Sequence, residues 1–307
     1  MRFTATSIER SSMTFWERHQ RTIAPWLFLA PALALFSVYV VAPIIRSIGF
    51  GFYSWDGLSA PRFIGLENYF ELYGDPNFWI AVKNNFIWLA CFLLAVPAGL
   101  FFALFLNQNV FGMRAIKSLF FFPFVISQAV VGLVFGWFYE PSNGLLFHAL
   151  HWFGVTPVAV LSDERYVTYG IVAAGLYPQI SYCMILYLTG LSNVRADLIE
   201  AARLEGAHGW RMLWSVILPQ LRSATFVAIV ITVVGALRSF DMVSIMTQGG
   251  PYGSSRVLAY YMYEQALGDY GYRVGYGSAI ATILFLIMLI YIGFVLARVY
   301  KQEREFV

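Results

Sequence analysis

Phe86-Ile-Trp-Leu-Ala-Cys-Phe-Leu-Leu-Ala-Val-Pro-Ala-Gly-Leu-Phe-Phe-Ala-Leu-Phe-Leu106 is a run of 21 residues without a single charge. An α-helix rises about 1.5 Å per residue, so roughly 20 such residues cross the ~30 Å hydrocarbon core of a bilayer. Four other uncharged segments reach that length: Pro25–Ile45, Ser118–Phe138, Val167–Leu191 and Val274–Ala297. A sixth, Ala224–Val243, stays apolar until Arg238 and Asp241 interrupt it. The expected fold class is an all-α polytopic membrane protein of about six transmembrane helices. Its membrane domain should cover residues 23–298, with tails at 1–22 and 299–307.

Composition agrees with a lipid environment. Apolar residues make up 59% of the 307 and charged residues 12%, with a mean hydropathy of +0.66. A water-exposed surface needs more charge than that, whereas lipid does not. A net charge of +3 is too small to point to nucleic acid. Cys91 and Cys183 both sit inside apolar runs, so they read as small buried hydrophobes rather than a disulfide framework. Arg2, Arg10, Arg18 and Arg21 precede the first apolar run as they would in a signal peptide. That run is long enough to span, and no small-residue cleavage site follows it, so it reads as a retained helix.

The basic residues set an expected orientation. One set of connections and tails holds Arg2, Arg10, Arg18, Arg21, Arg114, Lys117, Arg195, Arg203, Arg211, Arg222, Arg298, Lys301 and Arg304. The opposite connections hold Arg62, Arg165, Arg256 and Arg273. Positive residues are retained in the cytoplasm, so both termini are expected there. The outer connections are long and rich in aromatic residues, Gly and Pro, which suits anchoring at the headgroups.

Between the fourth and fifth spans, residues 193–222 are too polar to cross the membrane. Good helix formers run from Arg195 to Glu205, and Gly206 can adopt the left-handed conformation that ends such a helix. A second short helix is expected from Gly209 to Val216, stopping before Pro219. The pair should lie on the cytoplasmic face. Ala201 and Ala202 would let a partner approach closely, with Glu200, Arg203 and Glu205 orienting it.

Here the sequence resembles the permeases of type I binding-protein-dependent ABC importers. They carry an EAA loop: E-A-A, three residues, G, nine or ten residues, then I-x-L-P. Glu200-Ala201-Ala202, Gly206 and Ile217-Leu218-Pro219 match it, except that Glu205 replaces the usual Asp and the last stretch reads Ile-Leu-Pro. Phe63-Ile-Gly65-Leu66-Glu-Asn68-Tyr69, Thr247-Gln-Gly249-Gly250-Pro251 and Gly275-Tyr-Gly277-Ser278-Ala279 are similar to further signatures of the carbohydrate-type permeases. Together they resemble the maltose and glycerol-phosphate branch, and the first of its two permease subunits.

The resemblance implies that Glu200, Ala201, Ala202, Arg203, Glu205, Gly206 and Ala207 couple the chain to an ATPase. Lys83, Lys117 and Lys301 are the only lysines, and none follows a glycine, so the chain has no G-x-x-x-x-G-K-[ST] phosphate loop. It is therefore expected not to be an enzyme and to carry no cofactor. ATP and Mg would sit on two separate ATPase subunits. The other expected partners are a second permease forming a heterodimer, an extracytoplasmic solute-binding protein and membrane lipid. The expected location is a bacterial cytoplasmic (inner) membrane, crossed several times.

Polar groups inside a bilayer are costly and so mark candidate functional residues. Tyr177, Gln179 and Tyr182 cluster around Pro178, with Tyr182 nine residues from Leu191, about 14 Å along a helix. They suit the apolar faces and hydroxyls of a sugar, but equally suit bonding between helices. Arg238, Ser239 and Asp241 form a second cluster. The two charges, three apart, either neutralise each other on one helix or leave Arg238 to meet an anionic cargo such as a sulfonated, carboxylated or phosphorylated sugar or a glycerol-phosphate-like polyol. His148 and His151 lack a third ligand at metal-binding spacing, and no metal is expected. An ATP-independent carrier or channel would leave the cytoplasmic loop unexplained. A membrane enzyme lacks its usual motifs: there is no H-E-x-x-H and no G-x-S-x-G.

Overall fold

The computed structural model describes residues 15–108, 110–156, 158–268 and 272–305. Arg2 and Arg10 lie outside the described residues. Helix α1 (Phe15–Phe36) passes through a widened turn at Ser37–Val41 into α2 (Ala42–Phe50). Ala24–Phe50 makes one apolar rod of 27 residues. None of these residues is buried by the rest of the chain, and α2 leans against the final helix.

A two-residue hairpin follows, β1 (Tyr53–Ser54) antiparallel to β2 (Arg62–Phe63), then α3 (Glu67–Gly74). Asn68 ties this segment together by donating to the carbonyls of Gly51 at 2.8 Å and Tyr53 at 3.0 Å. The opening run belongs to α4 (Pro76–Phe92) and α5 (Ala95–Leu106), which form a single apolar stretch of 31 residues. Proline suits the start of α4, where its missing N–H is not needed, and the Asp75 side chain caps the helix by accepting from the Asn77 amide.

The third span departs from the sequence expectation. Ser118–Phe138 is not one helix: α6 (Met113–Val125) and α7 (Gln128–Phe138) meet at 96°. Ile126 is extended, and Ser127 starts α7 afresh with its hydroxyl accepting from the Val130 amide. The uniform hydropathy of the run concealed this break. After α8 (Leu145–Trp152), α9 (Val167–Ser192) crosses as 26 residues and accommodates Pro178 within it.

The polar loop folds into α10 (Ala196–Leu204) and α11 (Gly209–Met212). The second loop helix does not stop before Pro219. It widens at Leu213–Ile217 and continues into α12 (Leu218–Gln220), which carries Pro219. A 74° bend leads into α13 (Arg222–Leu237). The expected Ala224–Val243 helix ends at Leu237 instead, and α14 (Asp241–Met246) begins beyond Arg238. The chain closes with α15 (Leu258–Leu267) and α16 (Val274–Glu305). Among the described residues, four helices are long and apolar enough to cross a membrane, and up to six spans result if each bent pair counts as one.

By chain direction, α10–α12 and the start of α6 share one end of the bundle, while the hairpin, α14 and α15 occupy the other. Ala95, Leu106, Cys183, Met184, Tyr187 and Leu221 form the core at the α10 end. At the other end, Trp88, Ile171, Val243 and Tyr260 form one cluster, and Leu72, Leu258, Tyr276 and Ile280 a second. Helix α5 lies very close to α9 at Gly99, where a β-carbon would come 2.4 Å from Cβ of Cys183. Two polar rungs from α9, and a third from the turn that follows it, reach the segment from α12 through α13. Tyr187 donates to Oγ1 of Thr225 at 3.1 Å, Gln179 donates to Oγ1 of Thr232 at 2.8 Å, and the Arg195 amide donates to Oε1 of Gln220 at 3.0 Å.

Candidate coupling surface and membrane pathway

Helix α10 is a surface helix with no fully buried residue. Ile199 and Ala202 turn partly inward, while Leu198, Glu200, Ala201, Arg203, Leu204 and Glu205 are exposed. Leu204 is 91% exposed, so an apolar side chain is presented outward among the charges of Arg203 and Glu205. The helix ends as Gly206 was expected to end it. Gly206 has φ +82°, its amide donates to Arg203 O at 3.0 Å, and the Ala207 amide donates back to Ala202 O at 2.9 Å. This pair of reversed bonds satisfies the terminal carbonyls and fixes a sharp turn. Ala207 is buried and anchors the turn against the bundle. At the start of α10, Arg195 pairs with Asp197 at 2.5 Å, and the guanidinium holds that carboxyl below its usual range. Beyond the turn, Trp210 and Trp214 pack edge to face at 6.0 Å and are 73% and 59% exposed.

At the other end of α13, a cavity of about 300 Å³ lies between α4, α9, α13 and α14. Gln179, Arg238, Ser239 and Asp241 all line it, so the structure brings together four of the pathway residues singled out by sequence. Arg238 and Asp241 are exposed and form no ion pair with each other or with any described residue. The break between α13 and α14 removes the helical spacing on which mutual neutralisation depended. Gln179 uses its amide nitrogen on Thr232, and the Ser239 hydroxyl donates back to the Gly235 and Ala236 carbonyls at the end of α13.

Tyr177 and Tyr182 do not join this group. Tyr177 lines a separate apolar cavity of about 480 Å³ with Phe102, Leu119 and Pro123. Tyr182 packs on Phe124 with ring centres 4.8 Å apart and planes tilted by 35°. Sequence reasoning missed Trp88, Phe92, Gln128 and Phe240 in the wall of the first cavity. Gln128, an amide inside an apolar run, was a signal that could have been read. Trp88 also carries a buried indole N–H that has no partner among the described residues.

A bundle of up to six spans, with an exposed amphipathic helix at one end and a charged cavity near the other, defines a membrane transport subunit. The chain belongs to the family of binding-protein-dependent transport system inner membrane components, which it matches over residues 95–304. It is 34% identical over 277 residues to a probable ABC transporter permease of Bacillus subtilis, covering 88% of this chain and 94% of that one. It is 30% identical over 270 residues to the sulfoquinovosyl glycerol transport system permease of Agrobacterium fabrum, covering 86% of each. The fold is shared with a chain of the bacterial alginate ABC transporter crystallised with its alginate-bound periplasmic protein. That match has a TM-score of 0.78 at 21% identity and covers 92% of this chain and 95% of that one.

Proposed function

We propose that this chain is the first of two permease subunits of an importer for a sugar or sugar derivative, driven by ATP bound with Mg on two separate ATPase subunits. Both termini face the cytoplasm of a bacterial cell, and an external solute-binding protein delivers the cargo. The observation that carries this reading is the outward-facing α10, with Leu204 exposed between charged residues and a rigid turn at Gly206. Such a face suits insertion into a groove on a soluble partner. Glu200, Ala201, Ala202, Arg203 and Glu205 make the contact, and Gly206 with Ala207 sets its angle.

Closure of the ATPases moves α10, and the bundle rocks between inward- and outward-open states around a central path, as transporters generally do. Gln179, Arg238, Ser239 and Asp241 line that path. Tyr177 and Tyr182 contribute through helix packing at its side. Cargo identity is narrowed by Arg238, whose charge has no acidic partner among the described residues. That favours an acidic sugar derivative, and the Agrobacterium relative named for sulfoquinovosyl glycerol supports it.

The test is reconstitution of the complete transporter in vesicles, with a cysteine replacing Leu204. Crosslinking of that cysteine to the ATPase, together with ATP-driven and binding-protein-dependent sugar uptake, is the expected result. A Leu204→Cys chain that labels only from the outer face, or uptake that proceeds without ATP, overturns the reading.

A further inference from the structure

The loop between α14 and α15 encloses a second cavity that the coupling and pathway residues leave unused. It has a volume of about 560 Å³, within the ~300–1,000 Å³ usual for small-molecule sites. Its lining includes Gln248, Tyr252, Arg256, Tyr260, Tyr263 and Glu264. We propose that this cavity is an outer saccharide subsite, which receives a pyranose ring before it reaches the cavity beside Arg238. This rests on the importer reading above.

Three features support it. The first is preorganisation. Asn84 on α4 donates to the carbonyls of both Ser254 and Arg256 at 2.7 Å, Ser255 donates to Gly250 O at 2.6 Å, and Thr247 and Ser255 hydroxyls meet at 2.9 Å. A loop fixed in this way has little conformational freedom left to lose on binding.

The second is chemistry. Sugars combine apolar C–H faces with a rim of hydroxyls, and aromatic walls beside fixed polar groups match both. Tyr260 and Tyr263 supply the wall, their rings 6.2 Å apart. Tyr252 stands 92% exposed at the rim, held at φ +49° by the turn. At the floor, Arg256 is already neutralised by Glu264, so this site reads ring shape and hydroxyls rather than net charge. Charge discrimination is left to Arg238 and Asp241.

The third is continuity. Phe240 lines the inner cavity, and its ring lies against both Tyr260 at 6.1 Å and Tyr263 at 5.3 Å, which line the outer one. The Phe240 ring therefore joins the wall of the inner cavity to the aromatic wall of the outer one.

The experiment uses the assembled transporter in vesicles without the binding protein. A Gln248→Cys variant and a Leu58→Cys control, the latter at a 91% exposed hairpin residue, are labelled with a membrane-impermeant maleimide. Wild type, with its own Cys91 and Cys183, gives the background. Glucose, maltose and glucuronate at millimolar concentration are the probes. At least one should slow labelling at residue 248 several-fold without changing residue 58, and glucose and glucuronate should protect alike. Protection by none, or equal slowing at both positions, overturns the subsite. As a second measure, Tyr263→Ala should raise the sugar concentration for half-maximal uptake several-fold; an unaltered concentration counts against the proposal. A wild-type transporter that imports a sugar but shows no protection defeats the subsite alone, whereas one that imports no sugar defeats the importer reading as well.

Discussion

Arg256 and Glu264 meet in a two-point ion pair, Nε to Oε2 at 2.6 Å and Nη2 to Oε1 at 2.8 Å, with side chains only 18% and 10% exposed. The remaining Nη1 donates to Oδ1 of Asn77 at 3.0 Å, so this one guanidinium links α4, α15 and the loop between α14 and α15. Breaking a buried pair by removing one partner strands the other charge, typically at a cost of about 3–5 kcal/mol. Glu264→Gln should therefore lower the thermal unfolding midpoint of the purified chain markedly. Replacing both with apolar residues, Arg256→Met with Glu264→Leu, should restore much of the loss. A single variant as stable as wild type would contradict this account.

Asp75 caps α4 and also accepts from the phenols of Tyr276, at 2.7 Å, and Tyr261. Burial alone would push its carboxyl up, but these phenols and the amides of Asn77 and Phe78 outweigh burial and hold it below its ordinary value of 3.8. A lowered folded value means that the carboxylate contributes its full stabilisation above pH 3.8 and loses it as pH falls through the folded value. Asp75→Asn keeps a capping oxygen but not the charge. Its melting midpoint should lie below wild type at neutral pH, and the two should converge as pH falls below 3.8. A constant gap across that range would show that the charge is immaterial.

Gly99 faces Cys183 with no room for a β-carbon, which would lie 2.4 Å from Cβ of Cys183 and 2.8 Å from its carbonyl carbon. Gly99→Val must drive α5 away from α9, and overpacking of this kind costs about 1–3 kcal/mol or more. Lower yield of folded chain and an earlier melting transition are expected. Gly293, where an added β-carbon would meet nothing within 4 Å, is the control: Gly293→Ala should be neutral or slightly stabilising.

Leu204→Asp should leave the chain's own stability within about 0.5 kcal/mol, because the side chain is 91% exposed and packs on nothing. Recovery of the ATPase on an affinity column carrying the chain should nonetheless fall severalfold. Undiminished recovery would remove Leu204 from the contact.

Arg238→Gln should leave neutral cargo unaffected and cripple uptake of acidic cargo. Competition assays with glucose and glucuronate in vesicles would show the difference, and equal loss of both would defeat the anion reading.

Hydropathy made the spans legible because lipid demands length and the absence of charge, and both can be counted along a chain. The break at Ile126–Ser127 could not be counted, since an extended residue and a serine cap cost nothing in hydropathy. The turn at Gly206 was legible because helix endings have a local chemistry. The cavity was only half legible. Arg238 and Asp241 stood out as charges in an apolar run, but Trp88, Phe92 and Phe240 look like any other core aromatic until the fold gathers them. Tyr177 and Tyr182 lie apart from Gln179, against Phe102 and Phe124, a matter of helix rotation that uniform apolar flanks do not reveal. Two of the other signatures proved to be joinery: Asn68 binds the hairpin, and the Gly275 amide donates to Trp55 O at 3.1 Å.

The rungs joining Tyr187 to Thr225, Gln179 to Thr232 and Arg195 to Gln220 make α9 and the segment from α12 through α13 a single stiff frame. A load applied through α10 would reach both uprights, and Gln179 stands at once in one of the rungs and in the wall of the cavity.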